Sequence, residues 1–207
     1  MRTIVTIILA LLTINMFGQG ASDFEYMHGD LSFLKNEKII NVEFSWDSMA
    51  VGEFNTEAEY IAKKVAEHNA ASPGKGDAWL KEWESNKTMF FEPAFVEGLN
   101  DKFKKTKQLQ FEQNNKEANY TMFVHTTFIE SGNKGDPVMG FGSVVAEIIM
   151  EVQFLNRRDN NAVAVDLKIH AAEVVLDYSY TSQSTLHRSY LQTGKRFSKY
   201  LIKEVLN

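Results

Sequence analysis

Two stretches in the C-terminal half, residues 144–155 and 163–174, alternate apolar and polar side chains. Ile148, Met150, Val152 and Phe154 run out of phase with Glu147, Glu151 and Gln153, and Val165, Leu167 and Ile169 with Asp166, Lys168 and His170. A period of two marks a strand buried on one side, because successive side chains point to opposite faces of a sheet. Asn156, Arg157, Arg158, Asp159, Asn160 and Asn161 lie between them, a polar link of hairpin length. The pair predicts an antiparallel hairpin with one polar face and one apolar face, so the rest of the chain must supply a cover.

Further strands are expected at 109–112 and 120–130, and an earlier strand pair at 31–34 and 39–46, after a polar lead over 21–30. In the second of that pair Ile40, Val42, Phe44 and Trp46 share one face. Helical spacing appears elsewhere. Thr56 with Glu59 forms a capping box, and Ala58, Ile61, Ala62 and Val65 follow at helical intervals, predicting a helix to about residue 69. Asp77 is the expected cap of a second helix carrying Trp79 and Trp83 one turn apart and ending near Asn86. Phe91, Phe95, Leu99 and Phe103 define a third, with Pro93 in its first turn. Tyr190, Gly194, Phe197, Leu201 and Val205 stripe a closing helix over about 184–205. Strands and helices are segregated more than alternated. The expected class is therefore α+β: an antiparallel or mixed sheet of about five to six strands with helices on one face, a two-layer sandwich.

The first residues bound the compartment. Met1 and Arg2 precede fifteen uncharged residues, Thr3 to Phe17, rich in Ile, Val and Leu, and Gly18, Gln19, Gly20 and Ala21 follow. Such a stretch falls short of the roughly 20 apolar residues a membrane span needs and reads as a signal peptide over 1–20, cut after Gly18 or Gly20. One α+β domain over 21–207 is expected to follow, periplasmic or secreted, with no transmembrane segment after cleavage. The chain has no cysteine, which removes disulfides, thiolate metal sites, thiol nucleophiles and the lipidated cysteine of a bacterial lipoprotein. Its net charge of −5 becomes one unit more negative once Arg2 leaves. Nucleic-acid binders carry a basic surplus, so a nucleic-acid partner is not expected.

Candidate chemistry is sparse. Glu147, Asp166 and His170 share the polar sheet face with Glu151 and Lys168, and supply carboxylates and an imidazole for acid–base work or binding. A solvated sheet face calls for the same residue types. His28, His68, His125, His170 and His187 show no i, i+3 or i, i+4 spacing, so no metal site is expected. His125 is expected to be partly buried and held by a neighbour. The Gly-Lys-Gly run at 74–76 lacks the following Ser or Thr of a phosphate loop and joins two helices. A glycine-rich excursion over 130–142 carries Met139 and Phe141; it reads as a passive strand-to-strand link or, alternatively, as a loop whose apolar side chains capture a ligand or partner. Arg188, Lys195, Lys199 and Lys203 line the polar side of the closing helix, as a solvated face does.

The runs Trp46-Asp47-Ser48-Met49, Pro73-Gly74-Lys75-Gly76-Asp77-Ala78-Trp79, Phe91-Glu92-Pro93-Ala94-Phe95 and Leu99-Asn100, with Tyr190 through Gly194-Lys195, resemble a family of uncharacterised exported proteins from Bacteroidota. That resemblance implies export and assigns no activity, cofactor or site residue. The element order is loosely similar to envelope accessory domains such as the N-terminal domain of TolB. The expectation is a non-enzymatic envelope or periplasmic binding protein, without cofactor or catalytic residue, whose partner is an envelope protein or a small ligand. The alternatives are a hydrolase working through Glu147, Asp166 and His170, and a structural or assembly protein.

Overall fold

The computed structural model describes residues 21–106, 109–132, 144–175 and 181–206. Seven strands form one mixed sheet: β1 (Ala21–Gly29), β2 (Ile39–Ser45), β3 (Ala50–Val51), β4 (Gln110–Gln113), β5 (Tyr120–Glu130), β6 (Val144–Asn156) and β7 (Ala162–Val175). Their order is β1-β7-β6-β5-β2-β4, and β3 continues past β2 to pair with the end of β5. The pairs β1–β7, β7–β6 and β6–β5 are antiparallel; β5–β2, β2–β4 and β3–β5 are parallel. The helices are α1 (Glu57–Ala71), α2 (Lys75–Asn86), α3 (Glu92–Thr106) and α4 (Ser182–Leu201). The α+β class, the mixed sheet and the two-layer arrangement agree with the sequence reading.

Register explains the layering. Ile148 opposes Ala171, Met150 opposes Ile169 and Val152 opposes Leu167, so these pairs form a buried apolar surface along one face of β6–β7. Phe95, Leu99, Leu186, Tyr190, Phe197 and Leu201 from α3 and α4 close over it. The two helices cross at Gly98 and Gly194. A Cβ on Gly98 would lie 2.2 Å from the Leu191 carbonyl oxygen, and one on Gly194 would lie 2.3 Å from that of Phe95. Backbones this close exclude every side chain but hydrogen, so the pair of glycines sets how deeply α4 seats. Among the described residues two carboxylates are buried in the layer: Glu92 accepts from the Trp46 indole and the Gln113 amide, each at 3.0 Å, and Glu173 of β7 pairs with the Arg196 guanidinium of α4 at 2.6 Å.

Four local expectations change. Residues 31–34 are not a strand but part of a 3₁₀ helix, Leu31–Asn36, capped by Asp30, whose side chain accepts from the Ser32 N–H. At three residues per turn Leu31 and Leu34 fall on one side, and both are buried. The polar lead is strand β1, an edge strand whose Phe24 turns inward, stacking on Phe197 and Tyr200. Asp77 is not a cap: α2 begins at Lys75 after Gly74 at φ +83°, and the Asn69 side chain accepts from the Gly76 N–H. Finally, α2 and α3 are not separated by a break. A π turn, Lys87–Phe91, carries the helical path directly from one into the other. Pro93 has no N–H to give the ladder, and the widened turn before it absorbs that interruption.

Candidate functional site

The open face of the sheet carries the side chains that the sequence puts forward. Glu147 and His170 meet there, His170 Nε2 lying 2.5 Å from Glu147 Oε1. Asp166 does not join them. It sits four residues along β7, about 13 Å at strand rise, opposite Gln153, whose amide reaches it at 3.4 Å. Side chains of His170 and Glu147 are 49% and 35% exposed, so the pair stands in solvent. His125, on the same face, is held by a 2.7 Å hydrogen bond between its Nε2 and the Asp47 carbonyl, the partner expected for a half-buried histidine. Met139 and Phe141 lie outside the described residues.

A concave site lies on the opposite layer, where the sequence reading places none. Its floor begins at β3: the Gly52 N–H donates to the Ile129 carbonyl at 2.9 Å, and the Glu57 N–H donates to Met49 O at 2.8 Å. These two bonds fix the start of α1 over the end of β5. Thr56 caps α1 by accepting from the Glu59 N–H at 3.2 Å, as the sequence predicts. No residue of α1 is fully buried, so the helix leans over the sheet end instead of sinking into the core. Gly76 lets α2 pack back on it, since a Cβ there would come within 2.5 Å of the Val65 carbonyl.

Between α1, α2 and the first turns of α4 a row of aromatic rings lines the resulting cleft. His68 stacks on Trp79 at 5.6 Å and 22°, Trp79 on Trp83 at 5.7 Å and 17°, and Tyr60 lies 5.0 Å from Trp83 and 5.7 Å from Phe54. Two cavities, about 370 and 430 Å³, open along this row and share Tyr60, Lys64, Trp83 and Leu186 as common walls. The smaller reaches His68, Trp79 and the start of α4; the larger reaches Phe54, Glu130 and Gly132. Together they have the size of a small-molecule site.

The walls are fixed by polar ties. The Trp83 indole donates to Glu57 Oε1 at 2.5 Å, and the Lys87 ammonium pairs with that same oxygen at 2.5 Å. Gln183 at the start of α4 donates to the buried Asn86 at 2.8 Å, joining α4 to α2. Glu130 accepts from the Gly132 N–H at 3.0 Å, which aims its carboxylate along the floor of the larger cavity. Burial, with lesser contributions from the charges of Glu130 and Glu67, pushes the Tyr60 phenol up to about 12, so it is a neutral hydroxyl at any physiological pH. Trp79 and Trp83 are visible in the sequence as a helical pair, but a core stripe has the same spacing.

No family model and no curated protein matches the sequence. Among solved structures the chain is similar to the PelC dodecamer from Paraburkholderia phytofirmans, at 10% identity and a TM-score of 0.38, over 86% of this chain and 97% of that one. It is also similar to a protein from Xanthomonas campestris of the family DUF330, at 12% identity and a TM-score of 0.35, over 51% of this chain and 60% of that one.

Proposed function

We propose that this chain is an exported, non-enzymatic binding protein of the periplasm or cell envelope, and that its ligand is a small molecule held in the aromatic cleft. The observation that carries the reading is the pair of adjoining cavities sharing Tyr60, Lys64, Trp83 and Leu186. Their mix of aromatic walls with a few fixed polar groups suits ligand recognition. Export is supported by the apolar run at 3–17 and the small residues after it, and among the described residues no helix is long and apolar enough to cross a membrane. Binding without catalysis is supported by placement: the hydrogen-bonded Glu147–His170 pair lies on the open sheet face, and neither cavity includes it.

The test is native mass spectrometry of the mature protein after exposure to a small-molecule extract of its own envelope fraction, alongside a Lys64→Trp variant. Lys64 stands on the rim of both cavities, and an indole there fills the space without touching the core. Adducts on the parent protein that vanish in the variant support the cleft; adducts equal on both place binding elsewhere and overturn it.

A further inference from the structure

Within the larger cavity three rings are inclined to one another: Phe54 to Tyr60 at 61°, and Tyr60 to Trp83 at 53°. Rings inclined in this way can turn electron-rich faces toward a shared space, and it is the faces, not the electron-poor edges, that hold an ammonium group by cation–π attraction. The protein already places a cation there. The Lys63 ammonium sits 5.0 Å from the centre of the Phe54 ring and pairs with Glu53 at 3.2 Å. That lysine and glutamate side chain are 48% and 74% exposed, so the occupant is loosely held and free to swing away. Deeper in, Glu130 keeps a carboxylate on the cavity floor, and among the described residues no ammonium or guanidinium group pairs with it. Lys64, the other cation of the wall, is turned to Glu67 at 2.9 Å.

We infer that the cleft takes an organic cation, a primary or quaternary ammonium compound seated against Phe54, Tyr60 and Trp83 with Glu130 as its counter-charge, and that Lys63 is an internal competitor for the aromatic end of that site. The inference rests on the cleft being the ligand site. Ring faces supply attraction that a neutral molecule of the same shape does not receive. The Glu130 carboxylate adds a Coulombic preference of the same sign, and the swing of Lys63 to solvent opens the Phe54 face.

The experiment is isothermal titration calorimetry of the mature protein with choline and with its uncharged isostere 3,3-dimethylbutan-1-ol. Choline is expected to bind at least about tenfold more tightly than the isostere, the scale of a partly desolvated cation–π contact joined to one carboxylate. Phe54→Leu and Glu130→Gln should each weaken choline by about threefold to tenfold with little effect on the isostere. Lys63→Met should tighten choline by about threefold, because it removes a weakly held surface occupant. Thermal melts of each variant show that the fold is retained. Equal affinity for choline and the isostere overturns the cationic class while leaving the cleft in place. Choline binding that ignores Phe54→Leu and Lys63→Met overturns the assigned seat, and absence of choline binding to both the parent and Lys63→Met overturns the inference altogether. In either case Lys64→Trp decides the cleft separately.

Discussion

Gly194→Ala pits two effects of opposite sign against each other. In an exposed helix the change would stabilise by about 1 kcal/mol, since alanine is the better helix former. Here the new methyl carbon lies 2.3 Å from the Phe95 carbonyl oxygen and 2.9 Å from the Leu99 nitrogen. Both are backbone atoms in the middle of α3, so no side-chain rotation relieves the contact. The helices must separate by about 1 Å to restore ordinary van der Waals distance, and a gap of that size forfeits a quarter to a half of each dispersion contact across the interface. Overpacking costs about 1–3 kcal/mol, and backbone on both sides puts this site at the upper end. The net expectation is a loss of about 2 kcal/mol, or about 4–8 °C in Tm for a chain of this size. Circular dichroism melts of the mature protein read it directly. Gly98→Ala should behave alike, its Cβ meeting the Leu191 carbonyl at 2.2 Å. The double variant should cost less than the two single losses added, because one separation relieves both clashes. A raised Tm for Gly194→Ala, or full additivity in the double variant, would falsify the close helix crossing.

Three further outcomes follow from the geometry. Glu57→Ala removes the acceptor shared by Trp83 and Lys87, both mostly buried, and is expected to cost about 2–3 kcal/mol by chemical denaturation; a change under about 0.5 kcal/mol contradicts that role. Tyr60 has a folded-state pKa of about 12 against 10.0 for the free phenol, so its contribution is whole below pH 10 and disappears as pH rises through 12. Phenolate absorbance should show one tyrosine titrating near pH 12 that Tyr60→Phe abolishes, and a titration at 10 in the folded protein refutes the burial. His170→Ala breaks only a solvent-exposed pair and should change stability by less than about 1 kcal/mol and leave cleft binding untouched; a loss of ligand affinity would return the site to the sheet face.

The sheet was legible where one local pattern had one physical meaning. The alternation in β6 and β7 fixes which side chains are buried, and observed burial of Ile148, Met150, Val152, Phe154, Val165, Leu167 and Ile169 follows it. The Thr56 cap and the Tyr190–Val205 stripe of α4 were readable for the same reason. Leu31 and Leu34 were not, since two apolar residues three apart suit a short strand as well as a 3₁₀ turn, and the Asp30 cap decides. Strand β1 has too few inward apolar residues to announce itself; its position comes from pairing with β7. The continuity of α2 and α3 depends on a π turn, which has no sequence signature beyond Pro93. The cleft was hidden because its parts come from separate segments, Phe54 from a turn, Tyr60 from α1, Trp83 from α2 and Glu130 from the end of β5. Spacing along a chain reports neighbours on one element, and this site gathers several, Leu186 of α4 among them.

Indole N–H signals in a nitrogen–proton correlation spectrum separate the three tryptophans, two of which line the cleft while Trp46 faces Glu92 instead. On titration with choline the Trp83 indole signal and the backbone amides of Phe54, Lys63, Glu130 and Gly132 are expected to move together, while Trp46 and the amides of Asp166 and His170 stay in place. Shifts centred on Glu147, Asp166 and His170, with the Trp83 indole unmoved, would contradict the cleft as the ligand site.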